Sequence, residues 1–180
     1  MKKMPPFGHT ALPKDVIRGM QKGIMSWSYR GLPTWKCPMD LAIYSDILWQ
    51  VRPRTVIEFG SNRGGSALWI ADQLTAFANG DFHVYSLDIN PVKDLEDPRI
   101  SFGFCDVAEP GAHLGLADLK ALPRPLLVID DASHMAEHVL AVLRFVDQVL
   151  ELGDYLIVED GNLVELGWEE EYHGGPLAAL

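Results

Sequence analysis

The sequence has little cysteine, no long apolar run and no excess of basic residues. Its two cysteines, Cys37 and Cys105, stand on a Pro-flanked segment and in an apolar run, which supports neither a disulfide framework nor a thiolate metal site. No uncharged stretch approaches the ~20 residues of a membrane span. The opening MKKMPPFGHT has lysines but no apolar segment behind them, so neither a membrane anchor nor an export leader is expected. The cytoplasm is the expected compartment. Against 25 acidic residues stand only 15 Lys and Arg, for a formal net charge of -10. That balance argues against a broad phosphate-binding surface, and so against nucleic acid as a partner. Internal repeats and low-complexity segments are lacking too. What remains is 180 residues, 48% hydrophobic and 22% charged, the composition of one globular domain able to bury a core.

The most informative stretch is TVIEFGSNRGGS, Thr55 to Ser66. A short apolar strand runs into a loop carrying Gly60, Gly64 and Gly65 and then into a helix start, an arrangement that brings backbone N–H groups and a carboxylate to one crevice. Dinucleotide sites favour G-x-G-x-x-G with the acid about 20 residues later. Here Glu58 precedes the first glycine, where a carboxylate repels a pyrophosphate and suits a cationic ligand without phosphate. The pattern is similar to the first motif of S-adenosylmethionine (SAM)-dependent methyltransferases.

Apolar residues at helical spacing predict helices over Asp15–Met25, Asp40–Gln50, Gly65–Phe77 and His134–Leu150, the third ended by Asn79-Gly80. Further strands are expected at Phe82–Asp88, Arg99–Phe104, Leu126–Asp130 and Tyr155–Glu159. Helices between most of them imply an α/β fold with a mostly parallel, Rossmann-like sheet. Residues 1–38, rich in Pro and Gly, read as an N-terminal arm, and 39–180 as the domain. Trp27 is expected to lie over the core; Tyr29 and Trp35 either line a pocket or do the same.

In an open α/β sheet, ligands bind beyond the carboxyl ends of the strands. Every expected strand ends in or near an acid: Glu58, Asp88, Asp106, Asp130 with Asp131, and Glu159 with Asp160. Asp88 can accept from ribose hydroxyls and Asp106 from an adenine amino group, although either can equally cap a local turn or helix. Gathering Asp131, Glu159 and Asp160 without a cation would cost several kcal/mol. An all-oxygen set with few protein donors favours Mg2+. Of the adjacent pair, only one aspartate is expected to bind metal; Asp131 is assigned there and Asp130 to the cofactor side. His134, three residues after Asp131, is a candidate general base for a substrate hydroxyl.

The motifs IEFGSNRGGSALWIA, YSLDI, LLVIDDASHMAEHVL and YLIVEDGN together resemble the cephalosporin hydroxylase-like group of class I methyltransferases, which is related to macrolide-sugar O-methyltransferases. The segment preceding the glycine loop is similar as well, so the resemblance spans about Gly31 to Pro176. It implies SAM binding and methyl transfer, with Glu58, Gly60, Gly64, Ser66 and Asp88 at cofactor positions and Asp106 a weaker match. It also implies Mg2+ at Asp131, Glu159 and Asp160, with His134 as base. The chain departs from the class in stopping after five expected strands, where seven with an antiparallel hairpin are usual, so a sheet shortened at its C-terminal side is expected. Its fifth strand would then be an exposed edge, which points to a homo-oligomer or to residues 161–180 folding over that edge.

Two other readings compete with a methyltransferase acting on a small-molecule acceptor. The sequence HMAEH, residues 134–138, fits the H-x-x-E-H pattern of some zinc peptidases, with both histidines on one helical face. A SAM-binding or interaction domain without catalysis is the other.

Overall fold

The computed structural model describes residues 12–78 and 80–180. Asn79, half of the turn expected to end the third helix, and the opening MKKMPPFGHT lie outside the described residues.

Five strands form one wholly parallel sheet: β3 (Thr55–Phe59), β4 (His83–Asp88), β5 (Ile100–Phe104), β6 (Leu126–Asp130) and β7 (Tyr155–Val158), in the order β5-β4-β3-β6-β7. β3 and β6 are buried along their whole length, as continuous apolar runs covered on both faces must be. The order reverses between β3 and β6, so the crevice beyond their carboxyl ends is the switch point where α/β sheets take ligands. Phe59 is in register with Asp130, and Asp130 with Val158. The acids that end these strands therefore fall at one level.

One core lies between the sheet and the helices α2 (Pro38–Val51) and α3 (Gly65–Ala76), through Tyr44, Leu48, Ile70 and Leu74. The other lies under α5 (Ala136–Val146), whose Val142, Phe145 and Val146 meet Ile57, Leu126 and Val128. α4 (Leu116–Lys120) adds Leu119 to this second core. The expected stripe from Met135 to Leu150 is thus broken: its helix ends at Val146, and Val149 is buried from a turn closed by its N–H to the Val146 carbonyl, 2.8 Å away.

From residue 12 onward the arm is more ordered than its composition suggests. α1 (Lys14–Ile24) packs on α6 (Leu163–Leu166), and a hairpin of β1 (Ser28–Tyr29) and β2 (Leu32–Pro33) lies against α3. Trp27 and Tyr29 lie over the core as cover, whereas Trp35 is half exposed and lines the main cavity. Residues 161–180 do not fold along the outer edge of β7. They pack instead through α6 on α1, and through α7 (Gly175–Ala179) on α5. Among the described residues, β6 is the sole strand paired with β7.

Candidate functional site

A cavity of about 1060 Å3 opens at the carboxyl ends of the strands. The glycine loop forms one wall, and each glycine answers a steric demand. Gly60 has φ of +101°, and a Cβ there would lie 2.0 Å from the Asp131 carbonyl oxygen, so β3 and β6 meet through bare backbone. Gly65 faces the arm: a Cβ would lie 2.0 Å from Thr34 Oγ1. Gly64, at φ +78°, precedes α3, and Ser66 in the first turn of that helix lines the cavity.

Asp88 lines the cavity, and its two oxygens accept from Asn62 N–H at 3.0 Å and Asn90 N–H at 2.8 Å. Each oxygen keeps a lone pair for a further donor. Asp106 also lines it, while its Oδ1 accepts from Ala108 N–H at 2.9 Å in the local turn. Glu58 lies deeper. It is fully buried, accepts from Ser86 Oγ at 2.5 Å, and among the described residues its Oε1 has no donor. Burial pushes the Glu58 carboxyl above its ordinary value, with Lys36, Ser66 and Ser86 pulling the other way. Asp130 is likewise beneath the cavity, with Oδ2 unpartnered among the described residues and its carboxyl raised by burial to about 7.

Asp131, His134 and Asp160 each offer a donor atom, all within 4.8 Å of one another. Asp131 is brought in by its N–H bond to the Phe59 carbonyl at 2.9 Å, continuing the β3–β6 ladder one residue past the strand. His134 and Asp160 are set by unusual backbone, φ +58° and +55°. Non-glycine residues in this region are uncommon and cluster at sites where surrounding structure holds them. His134 Nε2 lies 3.0 Å from Asp160 Oδ2. Burial raises the carboxyls of both Asp131 and Asp160; Lys36 opposes this at the first and His134 at the second, while Glu159 adds to it at both. Carboxylates so placed gain from a cation. Glu159 lines the same cavity but points to Lys36 and the Tyr44 hydroxyl.

The zinc pattern does not form. His134 precedes α5 rather than starting it, so His134 and His138 share no helical face. His138 Nδ1 is 2.7 Å from Ser133 Oγ, and Glu137 pairs with His173 at 2.9 Å.

A family model described as Rhamnosyl O-methyltransferase/CmcI matches residues 21–179. The chain belongs to this family. Within the Rhamnosyl O-methyltransferase/CmcI family, the chain is 33% identical over 150 residues to the rhamnosyl O-methyltransferase of Mycobacterium tuberculosis, covering 78% of this chain and 60% of the relative. The Mycobacterium leprae enzyme of that name is 34% identical over 158 residues, 85% of this chain and 68% of that one. A solved structure of CmcI with Mg and SAM superposes with a TM-score of 0.64 at 29% identity, covering 82% of this chain and 61% of the other. MycE methyltransferase, from the mycinamycin biosynthetic pathway, shares the fold, with a TM-score of 0.50 at 21% identity over 82% of this chain and 42% of that one. The chain thus spans about 60% of the length of the Mycobacterium tuberculosis relative.

In this member of the Rhamnosyl O-methyltransferase/CmcI family, sequence reasoning missed Lys36 and Tyr44. Lys36 is buried, with Nζ 2.5 Å from Asp131 Oδ2, bonded to Glu159 Oε1, and 5.5 Å from the centre of the Tyr44 ring. Burial alone would lower the Lys36 ammonium's pKa; the Asp131 and Glu159 carboxylates instead hold it above its ordinary value. The available signal was a lone lysine in the Pro-flanked stretch PTWKCP. Tyr44 gave none, because its place in the repeat of α2 is that of a core residue.

Proposed function

We propose that the chain carries the catalytic domain of a SAM-dependent, Mg2+-dependent O-methyltransferase acting on a hydroxyl of a small molecule such as a sugar or natural product. One observation carries this reading: a convergent donor set, Asp131, His134 and Asp160, in the same cavity as the glycine loop and Asp88. The carboxylate oxygens of Asp131 and Asp160 suit a hard divalent ion, and the imidazole beside them is left to act as a base. The buried Glu58 carboxyl, bonded by Ser86 and opposed in its rise by Lys36 and Ser66, suits a ligand that brings a positive charge to the loop above it. The similarity to CmcI, with its structure in the presence of Mg and SAM, supports both assignments.

When bound, SAM would supply the electrophilic methyl group and Mg2+ the positive charge that makes a hydroxyl more acidic. Gly60, Gly64 and Ser66 would border the cofactor, with Asp88 accepting from its ribose and Asp106 from its base. Glu58 and Asp130 would support that loop from below. Asp131 and Asp160 would hold the metal, with Glu159 at its side. His134 would take the acceptor's proton, and the Asp160 carboxylate beside Nε2 would stabilise the imidazolium. Trp35 and Met39, both more than half exposed on the cavity wall, offer apolar cover to the acceptor.

Residues 39–180 would form the domain and 1–38 the arm, of which 12–38 lie across the domain. Among the described residues, no helix is long and apolar enough to cross a membrane. We place the chain in the cytoplasm as a homo-oligomer, with no nucleic acid partner. Calorimetry with SAM, with and without Mg2+, tests the central reading: binding in the low micromolar range, roughly -7 to -8 kcal/mol, is expected. Affinity for NAD with none for SAM would overturn it. SAM binding without transfer to any hydroxyl acceptor would leave a non-catalytic domain.

A further inference from the structure

We propose that Lys36 is a built-in counter-cation of the metal centre, one that holds the site together without metal and keeps divalent-ion binding loose. The inference rests on reading Asp131 and its neighbours as a divalent-ion site.

The ammonium is delivered from far away in sequence by a rigid piece of backbone. Thr34, buried, donates from Oγ1 to the Leu32 carbonyl at 2.9 Å and sits against Gly65 at the start of α3. The Lys36 N–H bonds the Thr34 carbonyl at 2.9 Å, and Pro38 begins α2 two residues on. The Lys36 side chain is 4% exposed. A buried ammonium persists only when its desolvation is offset by well-placed anions, and Asp131 Oδ2 and Glu159 Oε1 supply them. Tyr44 also fixes Glu159, donating its hydroxyl to the same oxygen, Oε1.

Charge decides what this does to a metal. Asp131, Glu159 and Asp160 carry three formal negative charges when ionised, and Lys36 cancels one. A divalent ion would cancel the other two, so lysine and metal together bring the cluster to neutrality. Without metal, the lysine prevents mutual repulsion of Asp131 and Glu159. With metal, its positive charge a few ångströms away opposes the ion. It is a positioning residue whose cost is affinity.

Lys36→Met keeps the stem and removes the charge, and Mn2+ alone serves as the probe, without SAM or acceptor. The metal-free variant is expected to melt at least roughly 6 °C below wild type, as loss of one partner of a buried ion pair requires. It should bind Mn2+ about 10-fold or more tightly than wild type by calorimetry, and saturating Mn2+ should raise its melting temperature by more than it raises that of wild type. The double variant Lys36→Met, Glu159→Gln removes one charge of each sign and should be more stable without metal than Lys36→Met alone. A Lys36→Met chain that folds only with Mn2+ present supports the proposal. Unchanged or weaker Mn2+ affinity, unchanged metal-free melting, or a double variant no more stable than the single overturns it. A wild-type protein that binds no Mn2+ overturns the metal reading as well, whereas Mn2+ binding with an indifferent Lys36→Met overturns this inference alone.

Discussion

Glu159, Asp131 and Asp160 look alike in the sequence, three acids at strand ends, but their partners separate them. Asp131 and Glu159 hold a buried ammonium, while Asp160 faces His134. Neutralising them should therefore have opposite effects on the metal-free protein. Asp131→Asn leaves Lys36 with one carboxylate and should destabilise by a few kcal/mol, the scale for a broken buried pair. Asp160→Asn relieves repulsion and should leave stability unchanged or raised. Denaturant titrations of both variants check this, and equal losses would contradict it. Both variants should lose Mg2+-dependent transfer. His134→Ala should slow turnover by ~10²-fold or more with little change in SAM affinity; full activity would reduce His134 to a strained loop residue. Its position off the helix was not legible in the sequence. The apolar stripe continues through Met135, and only tertiary contacts hold a histidine at positive φ. The sequence did allow Asp131 to be chosen over Asp130 for the metal side, and the ladder supplies the reason that only Asp131 lines the cavity, since adjacent residues on a strand end point opposite ways.

At the scale of elements, β3 to β7 were legible because each is a short apolar run bounded by breakers, and a parallel sheet buried on both faces leaves that trace. The hairpin β1–β2 was not. Two residues per strand carry no periodicity, and what holds it is side-chain bonding to α3. Tyr29 donates to Asp72 Oδ2 at 2.9 Å, Arg30 does so at 3.0 Å, and Arg99, just before β5, donates to Asp72 and Asp97 at 2.8 and 2.6 Å. Hydrogen bonds from Arg99 hold the Asp97 carboxyl below its ordinary value. Burial pushes Asp72 up, but bonds from Arg99, Tyr29 and Arg30 bring it below its ordinary value too. A carboxyl lowered by folding stabilises above its unfolded pKa, about 4, and that contribution is lost as pH falls through the folded value. Arg99→Met should accordingly cost about 1–3 kcal/mol at neutral pH and show a shallower loss of stability below about pH 4 than wild type. Parallel acid-unfolding curves for the two proteins would show that the network contributes nothing of this kind.

For the whole molecule, β7 is the edge on which assembly turns: it pairs with β6 alone among the described residues, and Tyr155 on it is 45% exposed. If that edge meets a second copy, light scattering should give at least a dimer, and Tyr155→Lys, a charge on the edge, should shift it toward monomer. A wild-type monomer would contradict the oligomer reading. The site itself is a long-range construction. Lys36 is separated from Asp131 by 95 residues and from Glu159 by 123. Closing such loops carries an entropic cost that contacts between distant parts of the chain must offset. A chain that has made the sheet but not yet laid the arm across it therefore has the carboxylates without their lysine. Nothing then opposes a divalent ion at the strand ends, so such a chain would hold metal more tightly than the finished protein. Docking of the arm would thus loosen an ion caught early, and the fall in affinity would mark the last step of folding.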